Sequence, residues 1–230
     1  MGAVLPRRKK PLLVMEYMEF KALSDLLYKS SVELEADTTL NILRDVSRGL
    51  NFLHSTKPPI VHRDLKSANV LVDSRFRAKL SDFGVTYKKR VAGTPFWMAP
   101  EVLRGEVEPT TASDVFSLGI VLYEMYARQE PYQGADGKEV IREICDPSMN
   151  RRPGVPRSMP TVVAALMHDC LAENPEGRPS MDEIHRRIER LSAKDLEIGR
   201  SLPNTGKNDE QRLQELLAKF PRRIAHALHG

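Results

Sequence analysis

The sequence predicts an α+β fold in which helices outnumber strands. Leucine and valine recur every three or four residues between Thr39 and His54, which predicts a helix with one apolar face. Two short apolar runs, 70–72 and 78–80, flank a polar turn and predict a pair of strands. From Pro100 onward the apolar spacing becomes helical again. A helix-rich domain with a small β component accounts for all three observations.

Length and composition are typical of one soluble globular domain. The 230 residues can bury a sizeable core, and 41% hydrophobic with 29% charged residues suits a soluble fold. The net charge of +4 is spread along the chain, so we expect no nucleic-acid partner. The most apolar stretch, 115–127, is shorter than the ~20 residues that span a bilayer, so we expect no membrane segment. Cys145 and Cys170 have neither disulfide nor zinc-ligand spacing, which favours reduced thiols in the cytoplasm.

The predicted elements follow one another from the N-terminus. The apolar run 12–15 lies between basic and acidic residues and predicts a short buried strand. The helix over 39–54 comes next, with Asp37 or Thr38 as its N-cap, and the strand pair follows it. Ser113 is expected to cap the next helix. The three helices predicted after Pro100 cover 114–128, 161–173 and 180–191.

The last forty residues divide into a predicted linker and a predicted helix. Residues 192–207 lose the apolar periodicity and contain Pro203 and Gly206, which predicts a linker. Over 208–230 the periodicity returns behind a start typical of a helix cap, which predicts an amphipathic helix. Its apolar stripe needs a partner surface, either in a homodimer or by simple packing.

The residues most informative about function are those of the loop 62–69. Asp64, Lys66 and Asn69 bring a carboxylate, an amine and a carboxamide together on this one loop, which suits phosphoryl transfer. We expect Asp64 to accept the proton of an attacking hydroxyl and Lys66 to neutralise the transferring group. Asn69 is expected to hold Mg²⁺. Asp82, directly after the second strand, supplies another hard oxygen ligand for that ion.

Three ordered motifs resemble those of the protein kinase family. HRDLKSANVL at 62–71, DFG at 82–84 and AGTPFWMAPE at 92–101 resemble its catalytic loop, metal loop and substrate-binding loop. The resemblance implies a protein kinase-like fold, ATP and Mg²⁺ as cofactors, and a protein substrate. Lys66 and Thr94 resemble the serine/threonine pattern of the tyrosine-kinase-like group, in which that threonine contacts the catalytic aspartate and lysine.

The resemblance covers residues 1–191 and implies a division into lobes. Residues 1–18 resemble a remnant of the small β lobe, its last two strands and the hinge, and 19–191 resemble the mostly helical large lobe. Backbone groups of Glu16 and Met18 are then expected to face adenine, with Leu71 as the floor of that pocket.

Further roles implied by the resemblance are structural. His62 is expected to pack under Phe83 and not to act as a base. Asp114 is expected to anchor the backbone of the catalytic loop from a core helix. Glu101 and Arg178 are expected to form a buried ion pair, whose separation would strand a charge.

The sequence also departs from the family pattern. It contains no G-x-G-x-x-G motif, and Lys9 and Lys10 do not lie where the family has its phosphate-binding lysine. We therefore expect a kinase domain truncated at its N-terminus, with weak or no turnover. The hinge exit, 19–23, lacks the glycine that relatives usually have. Within the tail 208–230, residues 216–230 (LLAKFPRRIAHALHG) resemble the helix that links a kinase-like domain to a class III nucleotide (guanylyl) cyclase.

Three functional hypotheses remain open. The retained Asp64, Lys66, Asn69 and Asp82 favour a serine/threonine protein kinase. The missing small-lobe motifs favour a pseudokinase-like regulatory module of a kinase–cyclase fusion. A non-functional fragment, whose large lobe folds without activity, is the third reading.

Overall fold

The computed structural model describes residues 2–4, 12–83 and 95–197 and has an α+β architecture dominated by helices, as predicted. The strands are β1 (Gly2–Val4), β2 (Leu12–Val14), β3 (Val70–Val72) and β4 (Ala78–Leu80). The helices are α1 (Leu23–Tyr28), α2 (Ala36–Ser55), α3 (Pro100–Leu103), α4 (Thr111–Ala127), α5 (Gly137–Cys145), α6 (Thr161–Cys170), α7 (Met181–Glu189) and α8 (Ala193–Glu197). Single 3-10 turns lie at Ser67–Asn69, Pro95–Trp97 and Pro175–Gly177.

The strands form two separate antiparallel pairs. β1 pairs with β2, and β3 pairs with β4 so that Val70 lies opposite Leu80. The second pair has the bounds predicted from the sequence, and β4 packs against α2. The prediction of a buried strand over 12–15 is wrong at its end, because Met15 falls outside β2 and is 58% exposed. In the described part of the chain β2 pairs with β1 alone, and this pairing ends at Val14, opposite Gly2.

Helix α2 buries the apolar face that the leucine spacing predicted. Leu40, Leu43 and Leu50 are at most 2% exposed, and this helix packs against α7 and β4. The predicted N-cap is wrong, because the helix begins at Ala36 with Glu35 as its N-cap and no side-chain capping bond. Asp37 therefore lies inside the first turn, where a carboxylate still suits the helix dipole.

Helix α4 runs through the centre of the helical body and is buried from residue 113 to 125. A methyl group on Gly119 would lie 2.8 Å from the side chain of Leu171, the C-cap of α6, and 3.0 Å from Cys170 Cβ, so any larger residue would push α4 away from the end of α6. The N-cap is Thr110 and not the predicted Ser113. The two residues instead form a reciprocal capping box, in which each backbone N–H donates to the other side chain.

The remaining elements differ from prediction mainly at their ends. Helix α7 begins at Met181, one residue after the predicted start, because Ser180 is its N-cap and its side chain accepts a hydrogen bond from Glu183 N. Helices α1 and α5 were not predicted, and α5 is capped by Asp136. The segment predicted as a linker begins with α8, whose Leu196 is 3% exposed and packs into the core. The tail 208–230 lies outside the described residues. No described helix is both long and apolar enough to cross a bilayer.

Candidate active site

The loop between α2 and β3 brings three of the predicted site residues together. Lys66 Nζ lies 2.9 Å from Asp64 Oδ2, and these side chains are only 21% and 19% exposed. The Asn69 amide nitrogen donates to the same Oδ2 at 3.0 Å and to the Asp64 carbonyl at 2.7 Å. The Asp64 carboxylate is thus held from two sides by side chains of its own loop.

Asn69 and Asp82 provide oxygen atoms suited to a hard cation. Both hydrogen bonds from Asn69 to Asp64 use the amide nitrogen, which leaves Oδ1 as the atom able to ligate a metal. Ser81, which precedes Asp82, donates from its N–H and hydroxyl to the Asn69 carbonyl at 2.9 and 3.1 Å and links the two segments. Asp82 is exposed and has a left-handed φ of 56°, a conformation that non-glycine residues adopt at a cost.

This donor set fits Mg²⁺ better than a transition metal. One carboxylate and one amide oxygen are the hard ligands that Mg²⁺ takes while it keeps several waters. Within the residues that the structure describes, no group of three or more His, Cys, Asp or Glu side chains is placed to form a denser cage.

The loop 62–69 is anchored by Asp114, from the first turn of α4. Its Oδ2 accepts the His62 backbone N–H at 2.7 Å, and its Oδ1 accepts that of Arg63 at 2.9 Å. His54 Nε2, at the end of α2, lies 2.9 Å from the same Oδ2. Arg63 has a φ of 74°, so the carboxylate stabilises a strained backbone immediately before Asp64.

His62 is placed for packing. It is 1% exposed, its ring lies edge-on to Phe83 at 6.4 Å between centroids, and among described residues neither ring nitrogen has a hydrogen-bond partner. Burial lowers the pKa of His62 below its usual 6.5, opposed by the negative charges of Asp114, Asp64 and Asp82. Within the described residues the structure therefore shows a ring that packs against Phe83 and whose nitrogens contact no proton donor or acceptor.

The predicted adenine-facing residues lie on adjoining segments. Met18 is buried and Glu16 is exposed, with its carboxylate paired to Lys79 of β4. The hinge exit runs along β3, because Val72 N donates to the Lys21 carbonyl at 2.8 Å and Ala22 bridges to Leu71. This pairing brings Leu71 beside the chain that follows Met18.

The predicted pair of Glu101 and Arg178 is in contact. Glu101 and Arg178 form a bidentate ion pair in the interior, with Nη1 2.7 Å from Oε1.

Two residues of the predicted motifs lie outside the described residues. They are Thr94, the predicted substrate-loop threonine, and Gly84, the last residue of the DFG motif.

The sequence reasoning missed Glu124, which is completely buried in α4. Its carboxylate accepts hydrogen bonds from the Trp97 indole at 2.8 Å, from the Ser67 N–H at 3.1 Å, and from the hydroxyls of Ser67 and Tyr28. Burial raises the pKa of Glu124, and these donors oppose that rise. The sequence feature that could have revealed it is that Glu124 is the one acidic residue within 115–127, the most apolar stretch of the sequence.

A family model described as protein tyrosine and serine/threonine kinase matches residues 1–188. The chain belongs to the protein kinase family. The predictions of this family and of a kinase-like α+β fold are thereby confirmed.

Several curated kinases are similar to this kinase domain. The probable serine/threonine-protein kinase drkC of Dictyostelium discoideum is 38% identical over 190 residues, which cover 78% of this chain and 25% of the relative. The serine/threonine-protein kinase CTR1 of Arabidopsis thaliana is 38% identical over 185 residues, covering 75% and 22%. The dual specificity protein kinase shkA of Dictyostelium discoideum is 34% identical over 203 residues, covering 83% and 38%. The match with drkC thus spans a quarter of that relative's length.

Proposed function

We propose that this kinase domain transfers the γ-phosphoryl group of ATP to serine or threonine hydroxyls of a protein substrate. The observation that carries the proposal is the convergence of Lys66 and Asn69 on the Asp64 carboxylate. A carboxylate held in this way is oriented before substrate arrives, which is the main contribution a protein makes to phosphoryl transfer. The names of the similar serine/threonine kinases support the same reaction class.

In the proposed reaction, the substrate hydroxyl oxygen attacks the γ-phosphorus and forms a new P–O bond. The bond between that phosphorus and the oxygen bridging to the β-phosphate breaks, and ADP leaves with the electron pair. The hydroxyl proton passes to the Asp64 carboxylate. Lys66, whose ammonium lies beside that carboxylate, stabilises the charge on the transferring group.

Asn69 and Asp82 would hold Mg²⁺. When bound, the ion neutralises phosphate charge and orients the nucleotide. For the nucleotide base we propose the backbone groups of Glu16 and Met18 as adenine partners, with Leu71 beneath the ring. Thr94 is proposed to contact Asp64 and Lys66 from the substrate side.

The proposed organisation keeps the predicted boundaries. Residues 1–18 act as small-lobe remnant and hinge, 19–191 as large lobe and 208–230 as an amphipathic helix. The segment 192–207 is kept as the connection between the last two, although its first residues form α8 and pack against the large lobe. That helix is proposed as a homodimer contact or a cyclase-linker segment. The two free cysteines among the described residues support a reducing compartment such as the cytoplasm.

Turnover by these 230 residues alone is expected to be weak. The printed sequence contains no G-x-G-x-x-G motif, so nucleotide would depend on the hinge and the metal ligands. The same observation favours the second candidate, a pseudokinase-like regulatory module that binds nucleotide or signals without transferring phosphate. A fragment that folds without function is the remaining alternative.

A thermal-shift titration with ATP, with and without Mg²⁺, tests the nucleotide site. We expect a magnesium-dependent rise in melting temperature for the wild type. Asp82→Asn should abolish this rise, whereas Asp37→Asn, which changes an exposed carboxylate in the first turn of α2, should retain it. A magnesium-dependent rise that survives Asp82→Asn would show that the metal assignment is wrong. A folded wild type without any shift would contradict the kinase proposal.

Transfer itself is tested with radiolabelled ATP and a mixture of peptides centred on serine or threonine. Asp64→Asn preserves the shape of the side chain and removes its ability to accept a proton. We expect about 10²-fold or greater loss of transfer with an unchanged thermal shift. Nucleotide binding without transfer by the wild type would favour the regulatory module.

A further inference from the structure

A cavity of about 410 Å³ lies where the end of α2, the start of α4 and the segment leading into α7 meet. Sites for small molecules in proteins usually enclose about 300–1,000 Å³, so the cavity has room for one small ligand. Its lining includes none of the predicted catalytic, metal-binding or adenine-facing residues. The cavity is therefore separate from the candidate active site.

The side chain of His54 lines this cavity and is only 8% exposed. Its Nε2 lies 2.9 Å from Asp114 Oδ2. Because an ionised carboxylate only accepts hydrogen bonds, Nε2 is the donor in this contact, and the neutral ring then presents Nδ1 as an acceptor. Over the ranges that the structure describes, Nδ1 has no hydrogen-bond partner. It is the ring nitrogen left for a ligand, and it favours a ligand that donates.

The charges that a ligand meets in the cavity are negative. Glu176 lines it, is exposed, and forms no ion pair with any other described residue. Asp182 also lines it, and its pair with Arg186 uses Oδ2 alone. Arg178 is the one arginine in the lining, but its side chain is 0% exposed and both of its terminal nitrogens donate to Glu101. The two carboxylates therefore favour a cationic ligand.

The N-terminus of α7 at the cavity would by itself favour an anion, because the helix dipole is positive there. The first turn of α7, however, carries Asp182 and Glu183. The Ser180 side chain accepts the Glu183 N–H and so occupies one of the free donors of that turn. With these groups present, the preference of the cavity for a cation remains.

The rest of the lining is largely apolar. Val115 and Met181 are each 2% exposed and contribute to the walls. Pro59, Pro175 and Pro179 add rigid apolar rings. A ligand that carries an apolar body next to its charge would remove this surface from water on binding.

We propose that this cavity binds a small molecule with a protonated primary amine on an apolar body. The ammonium group donates to His54 Nδ1 and to the Glu176 carboxylate, and the body packs on Val115, Met181 and the prolines. This inference goes beyond the proposed kinase function and does not depend on it. Since the same imidazole contacts Asp114, the site is connected to the backbone of the loop 62–69.

The binding test uses three probes that share a phenyl ring and differ in charge: 2-phenylethylamine, 2-phenylethanol and 3-phenylpropanoate. Each is titrated into the full chain by calorimetry and by ¹⁵N spectra of the imidazole rings. We expect the dissociation constant of the amine to be about ten-fold or more below that of the propanoate. The amine should shift the Nδ1 resonance of His54 and leave those of His168 and His185, which do not line the cavity, unchanged.

Two variants and a matched control assign the contacts. Glu176→Gln removes one charge from an exposed side chain and should weaken binding of the amine about three-fold, with binding of the alcohol unchanged. Glu33→Gln, which changes an exposed carboxylate between α1 and α2, should bind the amine as the wild type does. His54→Gln offers Asp114 an amide N–H but has no counterpart of Nδ1, and it should weaken binding of the amine about ten-fold.

Three results would overturn the proposal. They are equal affinity for the amine and the propanoate, an unshifted His54 Nδ1 resonance at saturating amine, and wild-type affinity for the amine in Glu176→Gln. If His54→Gln does not fold, the His54 resonance and Glu176→Gln still decide the outcome. None of these measurements uses phosphate transfer, so a failure of the proposed kinase function would leave this test intact.

Discussion

The guanidinium of Arg178 and the carboxylate of Glu101 face each other as a bidentate pair inside the protein. Nη1 lies 2.7 Å from Oε1 and Nη2 lies 2.8 Å from Oε2, with side chains 0% and 6% exposed. The remaining Arg178 donors bond to the carbonyls of Ala172, Ala112 and Glu173. Because the guanidinium is satisfied throughout, the pair joins α3 firmly to the loop before α7.

Breaking this pair should be strongly destabilising. Glu101→Gln leaves the Arg178 charge buried without its counter-ion, and we expect the free energy of unfolding to fall by about 3–5 kcal/mol. Urea denaturation measures the change. Glu106→Gln is the matched control, because the Arg104–Glu106 pair has a 54% exposed carboxylate and should contribute less than about 1 kcal/mol. Equal losses in the two variants would contradict the assignment of a buried, structural pair.

Asp114→Asn should loosen the catalytic loop. An amide presents one acceptor oxygen where the carboxylate presents two, so the backbone N–H of either His62 or Arg63 loses its partner. We expect faster amide hydrogen exchange at these residues and a loss of about 1–3 kcal/mol in stability.

A matched control for Asp114 exists in the exposed β3–β4 turn. Asp73 also accepts two backbone N–H groups, those of Arg75 and Arg77, but it lies away from the catalytic loop. Asp73→Asn should leave exchange at His62 and Arg63 unchanged. Unaltered exchange there in Asp114→Asn would refute the anchoring role.

The pH dependence of stability should include a contribution from His62. Burial holds the pKa of His62 below 6.5 in the folded state, so the unfolded chain binds the proton more readily. The contribution of His62 to the free energy of unfolding is therefore fully present above pH 6.5, and it is lost as the pH falls towards the lowered pKa of the folded state. His62→Phe should reduce the slope of unfolding free energy against pH in the range just below 6.5. Identical slopes for the two proteins would show that His62 does not titrate differently on folding.

Introducing a glycine at the hinge exit should raise the free energy of unfolding. Lys21 is exposed and has a φ of 58°, yet its backbone is held by bonds to Met18 and Val72. Lys21→Gly removes the strain of the left-handed conformation, and we expect about 1 kcal/mol of added stability in urea. Lys21→Ala removes the same side chain atoms beyond Cβ without relieving the strain. A glycine variant less stable than the alanine variant would contradict this account.

Local sequence patterns predicted the elements whose form depends on local forces. The leucine spacing of α2 and the apolar runs of β3 and β4 identified these elements, and the helix predicted over 180–191 lies within one residue of α7 at its start. The six residues of α1 and the five of α8 are too short to show a clear period, so their helices were missed. Leu196 gives α8 its place by packing into the core, a contact that local spacing does not reveal.

The sequence by itself determined the family through three ordered motifs at 62–71, 82–84 and 92–101. It also determined the chemical groups of the loop 62–69, because Asp64, Lys66 and Asn69 lie within six consecutive residues. The tertiary structure alone placed Asp114 on the loop backbone 52 residues before it and brought Ser67 to Glu124 across 57 residues. Such contacts arise only when α4 is buried at the centre of the fold. There an acidic side chain must find donors wherever the neighbouring segments present them, and spacing along the chain does not specify which donors those are.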